Sequence, residues 1–226
     1  MDLYHAVNRG VEKRNIFLDS QDYARFVHNL YAFNDKDPVV NFGRSFSTTA
    51  SMSDLGGHSF DTRGPEQLVK IHAWCLMRNH FHLLLSERQE NGISKFLMKV
   101  NVGYAKYFNE KYQRNGYVFQ GRTKRILIER EQQFNYILHY IHLNPLDYCK
   151  GAENWRIRTK GENKQNLQKI FNYLRGYRWS SYLDYIGEKN FPSLLDTGLI
   201  TKEYSKEIEH YLRATPANDV GALVLE

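Results

Sequence analysis

The sequence predicts an α+β fold: an antiparallel sheet with helices packed on one face, plus a small helical extension toward the C-terminal end. Three observations predict it. Apolar residues switch between a period of two and a period near 3.6 in the order β, α, β, β, α, β, α. Turn-forming pairs such as Arg9-Gly10, Arg78-Asn79 and Asn115-Gly116 fall at the switches. Beyond Cys149 only helical patterns remain.

Leu3 to Asn8 reads as a short strand closed by Arg9-Gly10. Asp19-Ser20 then offers a cap for a helix whose apolar positions Tyr23, Phe26, Val27, Leu30 and Tyr31 recur at helical spacing. From 35 to 67 the chain turns to Gly, Ser, Thr, Asp and Asn without periodicity, which predicts a long mobile loop. Val69 to Met77 and His80 to Ser86 are apolar and aromatic runs on either side of Arg78-Asn79, a pattern that predicts a hairpin. A helix follows from Ser94 through Phe96, Leu97, Val100, Tyr104, Tyr107 and Phe108, with cations toward its end. Tyr117 to Ile128 reads as the next strand, and Glu131 to Leu143 as a helix stopped by Pro145. Split βαβ sheets of the ferredoxin-like kind are built from this order. The expected division is therefore a domain over 1–148 and a helical extension over 149–226. That extension carries a charged bridge from Arg156 to Gln168, helical patterns at Ile170 to Tyr177 and Tyr204 to Leu212, and a frayed last ten residues.

Composition narrows the function classes. The 226 residues carry a net charge of +6 with a pI near 9.1, which suits a polyanionic partner. From Lys95 to Arg125 eight basic residues face Glu110 alone, so the charge is concentrated. Two cysteines, Cys75 and Cys149, permit neither a disulfide framework nor a cysteine-built zinc site. The opening residues Met1-Asp2-Leu3-Tyr4-His5 lack a basic lead and an apolar run, and nowhere do 18 apolar residues follow one another. The expectation is a cytoplasmic protein with no membrane partner.

Within the second strand of the hairpin, His80 and His82 share a face and Phe81 takes the other. That spacing permits two imidazoles to chelate one metal. On the helix before Pro145, Tyr136, Tyr140 and Asn144 stand at i, i+4 and i+8, a single stripe that could place a nucleophile beside a third ligand. Tyr136, Tyr104 and Tyr107 are rivals to Tyr140, and a tyrosine stripe is also what a core-facing helix shows. Arg9, Lys13, Arg14, Arg122, Lys124 and Arg125 beside the strands, with Lys99 and Lys106 on the basic helix, are candidate phosphate contacts. Their interleaving with Tyr117 and Phe119 is a feature of single-strand binders, whose aromatic faces stack on unpaired bases.

Taken together, five ordered blocks carry a resemblance. The stretch Trp74-Cys75-Leu76-Met77-Arg78-Asn79-His80-Phe81-His82-Leu83-Leu84-Leu85 resembles the metal-binding strand of the HUH superfamily. Tyr140-Ile141-His142-Leu143-Asn144-Pro145 resembles the nucleophile helix of its single-tyrosine transposases. Tyr4-His5-Ala6-Val7-Asn8-Arg9-Gly10, Phe119-Gln120-Gly121-Arg122 and Trp179-Ser180-Ser181-Tyr182 are similar to further blocks, above all of the REP-associated tyrosine transposases. The resemblance implies that His80, His82 and Asn144 bind Mg²⁺ or Mn²⁺, although two imidazoles also suit Zn²⁺. It implies that Tyr140 attacks single-stranded DNA with hairpin structure and forms a 5′-phosphotyrosine link, in a prokaryotic nucleoid-associated enzyme working as a monomer or homodimer. Arg78 stands where many relatives have proline, and residues 35–67 match no block. The alternatives are a domesticated nucleic-acid-binding protein of the same fold without strand transfer, a ferredoxin-like RNA-binding module with structural histidines, and a replication initiator or plasmid relaxase.

Overall fold

Four strands, β1 (Leu3–Arg9), β2 (Val69–Met77), β3 (His80–Glu87) and β4 (Lys124–Ile128), form one antiparallel sheet in the order β2-β3-β1-β4. The computed structural model describes residues 1–37, 66–152, 155–156, 163–199 and 203–214. Most of the segment expected to be a loop, and the last ten residues, lie outside the described residues. β3 inserts between β1 and β2, so the strands on either side of α1 (Ser20–Ala32) form a split βαβ unit. The hairpin of β2 and β3 turns at Arg78-Asn79 with Met77 paired to His80 and Cys75 to His82.

Alternation along the strands sorts the sheet into two faces. On one, Ala6, Trp74, Leu76, Phe81, Leu83 and Leu85 pack with Phe26 and Leu30 of α1 and with Phe96, Val100 and Tyr104 of α2 (Gly92–Lys111). On the other, Ala73, Cys75, Met77 and Leu84 pack with Ile137, Leu138, Tyr140 and Ile141 of α3 (Glu131–Leu143). The same cluster takes in Leu167, Ile170 and Leu174 of α4 (Lys164–Gly176) and Tyr204, Ile208 and Leu212 of α5 (Tyr204–Arg213). Packing on one face thus holds for α1 and α2, whereas α3 and the extension cover the opposite face. The unbroken run Leu83-Leu84-Leu85, each residue fully buried, is the sequence trace of a strand covered on both sides.

Two boundaries differ from the sequence expectation. The strand expected over 117–128 is regular only at Lys124–Ile128. Before it the chain crosses the end of β1, where Phe119 bridges Gly10 and Gln120 N–H donates to the Arg9 carbonyl at 2.8 Å. Gly121 then turns with φ +75°, a conformation that suits glycine. Gly10 is required for a different reason: a Cβ there would collide with the Arg14 carbonyl oxygen. The second difference is α4, which starts at Lys164, capped by the Asn163 side chain, inside what reads as a charged bridge.

The extension is fastened to the sheet edge. Leu76 N–H donates to the Trp179 carbonyl and Ser181 N–H to the Trp74 carbonyl, both at 2.9 Å, so residues 179–181 cover the open edge of β2. The Trp179-Ser180-Ser181-Tyr182 block is thereby accounted for as edge protection. Buried His142 on α3 pairs with Ser181 Oγ and with the Tyr204 hydroxyl, each at 2.7 Å, which joins α3, the edge segment and α5. Among the described residues no helix is long and apolar enough to cross a membrane.

On the α1 and α2 face, Asp19 and Asp22 form a capping box at the start of α1. Asp22 is fully buried and accepts from Lys111 Nζ at 2.7 Å, Tyr112 Oη at 2.8 Å, Tyr107 Oη at 3.0 Å and Leu18 N–H at 2.8 Å. Removing one partner of such a buried pair leaves the other donors facing nothing. Asp22→Ala is expected to lower stability by about 3–5 kcal/mol, read as a fall in the urea midpoint at unchanged slope.

Candidate active site

The face bearing α3 carries His5, Val7 and Arg9 from β1, His80 and His82 from β3, and Lys124 from β4. Val7 is paired with both His82 and Lys124, and Arg9 with His80. His82 is 1% exposed, and its ring stands 4.8 Å from the His80 ring, centroid to centroid. The Tyr140 ring of α3 meets His82 edge-on at 5.4 Å and His5 at 6.3 Å. Among the rivals, Tyr104 and Tyr107 sit on the opposite face of the sheet, where the Tyr104 hydroxyl donates to the Ile16 carbonyl and the Tyr107 hydroxyl to Asp22. Burial raises both phenols above their ordinary pKa. Tyr136 remains beside Tyr140, its ring 5.9 Å away.

Hydrogen bonds fix how the two histidines are held. Asn79 Nδ2 donates to the Lys13 carbonyl at 3.1 Å, which turns its Oδ1 toward His80 Nδ1, 2.6 Å away. That oxygen only accepts, so His80 carries its proton on Nδ1. His82 Nδ1 lies 2.9 Å from His5 Nε2, and the two rings are 14° from parallel. Burial, followed by the nearby His80, His5 and Arg156, holds His82 well below the ordinary histidine pKa, so the ring is neutral. Its Nε2 is buried and makes no hydrogen bond among the described residues.

Asn144 follows α3 and is fully buried. Its Nδ2 donates to the Tyr140 carbonyl at 2.7 Å, and its Oδ1 accepts from Arg156 Nη2 at 2.6 Å. Arg156 also pairs with Asp147, which accepts from Trp155 Nε1 at 2.9 Å. The guanidinium lies 5.1 Å from the Tyr140 ring centre, and the Trp155 ring stands 5.8 Å from that of Tyr140, which is left 1% exposed.

Of the eight candidate phosphate contacts, Arg9, Lys13, Arg122 and Lys124 line one pocket of about 290 Å³ with Val7, Asn8 and Gln120. Among the described residues no acidic side chain lines it, and its Arg9 lies across from His80. Lys13 is presented by two successive left-handed residues, Glu12 at φ 56° and Lys13 at φ 59°. The other four are placed elsewhere. Arg125 points to the α2 side and donates to Ser94 at 2.6 Å, and Arg14 is engaged with Glu12 and the Val11 carbonyl. Lys99 Nζ is tied to the carbonyls of Asp35, Lys36 and Asp37, while Lys106 stands exposed on α2.

Residues 56–144 match the protein family described as "Transposase IS200 like". This segment is similar to the IS200-like transposases. The matched residues include His80, His82, Tyr140 and Asn144. No curated protein matches the chain. Among solved structures, one titled "Structure of the REP associates tyrosine transposase bound to a REP hairpin" is similar over 87% of this chain and 87% of its own, with 12% identity and a TM-score of 0.48.

For a divalent ion, the donor set of this IS200-like segment is two imidazoles and one carboxamide. No group of three or more histidine, cysteine, aspartate or glutamate side chains is gathered for a metal among the described residues. The set nevertheless suits a divalent cation, because the buried His82 Nε2 makes no hydrogen bond among the described residues and the Asn144 oxygen keeps a second lone pair beyond the one given to Arg156. Sequence reasoning missed Asn79, His5, Trp155 and Arg156. A period-two reading of β1 puts His5 on the face of Val7 and Arg9, but nothing in the spacing joins Arg156 to Asn144.

Proposed function

We propose that this IS200-like protein is a transposase that cleaves and rejoins single-stranded DNA of hairpin structure through a covalent link between the DNA 5′-phosphate and Tyr140. The observation that carries the reading is the convergence of two separate elements. The buried Tyr140 ring lies edge-on to His82, and Asn144 follows one helical turn later.

In this reading His80, His82 and Asn144 hold Mg²⁺ or Mn²⁺, which supplies Lewis-acid stabilisation of charge on the scissile phosphate. Tyr140 Oη loses its proton and attacks phosphorus, the P–O3′ bond breaks, and O3′ takes up a proton to leave a free hydroxyl. Reversal by a DNA 3′-hydroxyl restores the phosphodiester and frees Tyr140, so strands rejoin without another energy source. A phenol with an ordinary pKa near 10 is a weak nucleophile at neutral pH, so attack calls for a positive charge beside the oxygen, which a bound divalent cation would supply. Arg9, Lys13, Arg122 and Lys124 hold the backbone of the strand entering beside His80. The packing of Tyr140 against His82 of its own chain supports action as a monomer.

At 1% exposure Tyr140 is closed to a phosphate, so cleavage requires its surroundings to open. The same burial favours a second reading, a hairpin-binding protein of this fold that no longer transfers strands.

A labelled single-stranded hairpin incubated with the protein and Mn²⁺ separates the two. The transposase reading expects a protein–DNA adduct that survives denaturant, and expects it to disappear when EDTA is added first. Binding without an adduct on any hairpin offered, in Mn²⁺ or Mg²⁺, would leave the binding-only reading.

A further inference from the structure

We infer that His5 is a positioning residue, accepting a hydrogen bond from His82 Nδ1–H and thereby keeping the His82 Nε2 lone pair directed into the site; the inference rests on the metal reading above. The 2.9 Å separation between His5 Nε2 and His82 Nδ1 admits two proton arrangements. If His5 donated, neutral His82 would carry its proton on Nε2. That atom is buried without a hydrogen-bond partner among the described residues, and a proton on it would leave no lone pair there for a cation. If His82 donates, the buried atom is instead a lone pair, the form in which an imidazole can hold a cation. Neutral His5 then carries its own proton on Nδ1, which is buried too, so the need of a cation for the His82 lone pair, and not burial, chooses between the two arrangements.

The two histidines of β3 are in this view held alike by different means. His80 gives its Nδ1 proton to Asn79, whose amide is fixed by the Lys13 carbonyl. His82 gives its own to His5, one strand away on the same face. Outer partners of this kind set the tautomer and ring orientation of metal-binding histidines, and their loss commonly weakens metal affinity 10- to 100-fold. Both His5 and His82 are 1% exposed, so water does not compete for the bond. The rings lie 14° from parallel with centroids 5.1 Å apart, close to the in-plane geometry that a ring-to-ring hydrogen bond needs.

The test uses the full chain and two measurements. Long-range ¹⁵N–¹H spectra of metal-free protein are expected to show His82 as the Nδ1–H tautomer. Mn²⁺ titration followed by electron paramagnetic resonance is expected to show affinity 10- to 100-fold weaker in His5→Leu. His5→Gln, whose Oε1 can accept in the place of Nε2, should stay close to wild type. An Nε2–H tautomer at His82 in the wild type overturns the inference without any variant, as does a folded His5→Leu protein with wild-type Mn²⁺ affinity. Wild-type protein that takes up no Mn²⁺ while His82 shows the Nδ1–H form would sink the metal reading, and the role of His5 with it, leaving only the hydrogen-bond assignment.

Discussion

Tyr140→Phe protein is expected to form no denaturant-resistant adduct with hairpin DNA and to lose strand cleavage by at least about 10⁴-fold, the scale on which enzymes respond to loss of a covalent nucleophile. The substitution removes one oxygen and leaves the ring. Its packing against His82, His5, Trp155 and the Arg156 guanidinium is a property of that ring, so the fold should change in stability by less than about 1.5 kcal/mol. Hairpin affinity, measured by gel shift, should stay near the wild-type value, because the basic pocket does not include Tyr140. Tyr136→Phe is the matching control and should keep the adduct. An adduct that survives in Tyr140→Phe and vanishes in Tyr136→Phe would move the nucleophile one turn back along α3.

Replacing Arg9, Lys13, Arg122 and Lys124 together with alanine should flatten the salt dependence of single-strand binding. Each phosphate neutralised on a single strand contributes about 0.7 to the slope of log affinity against log salt, so four contacts amount to about 2.8. Extrapolated from 1 M to 0.15 M salt, that slope corresponds to about two orders of magnitude in affinity. Fluorescence anisotropy between 0.05 and 0.3 M salt reads both quantities. The four side chains line one pocket without an acid among them, and they leave Asp22, His142 and the other buried polar pairs untouched, so the protein should fold. Lys106→Ala should change the slope by no more than about 0.7. A slope in the four-fold variant equal to that of wild type would mean that the strand runs elsewhere, and the α2 side bearing Arg125 and Ser94 would be the next surface to test.

The local periods of the sequence determined the elements. Val69–Met77 has the predicted strand boundaries and Glu131–Leu143 the predicted helix, because apolar alternation and the proline at 145 act within a few residues. The Asp19 cap was equally legible. Strand alternation was enough to put His80 and His82 on one face, and helical spacing enough to align Tyr140 with Asn144. The tertiary structure alone decided which side of the sheet α3 would cover, since a helix with an apolar stripe packs against either face and the choice depends on what else must be buried. That choice brings Tyr140 to His82, while the packing of α2 on the opposite face keeps Tyr104 and Tyr107 away from the histidines. Burial also decided the hydrogen bonding: His5 meets His82 only because β1 and β3 pair, and Arg156 meets Asn144 only once the segment after Pro145 folds back. Contacts between residues 77 and 12 positions apart depend on strand pairing and chain path, which no local period encodes. The eight candidate cations were separated in the same way, four into one pocket and the rest onto other surfaces, because strand pleating and backbone capping dispersed charges that are neighbours in sequence.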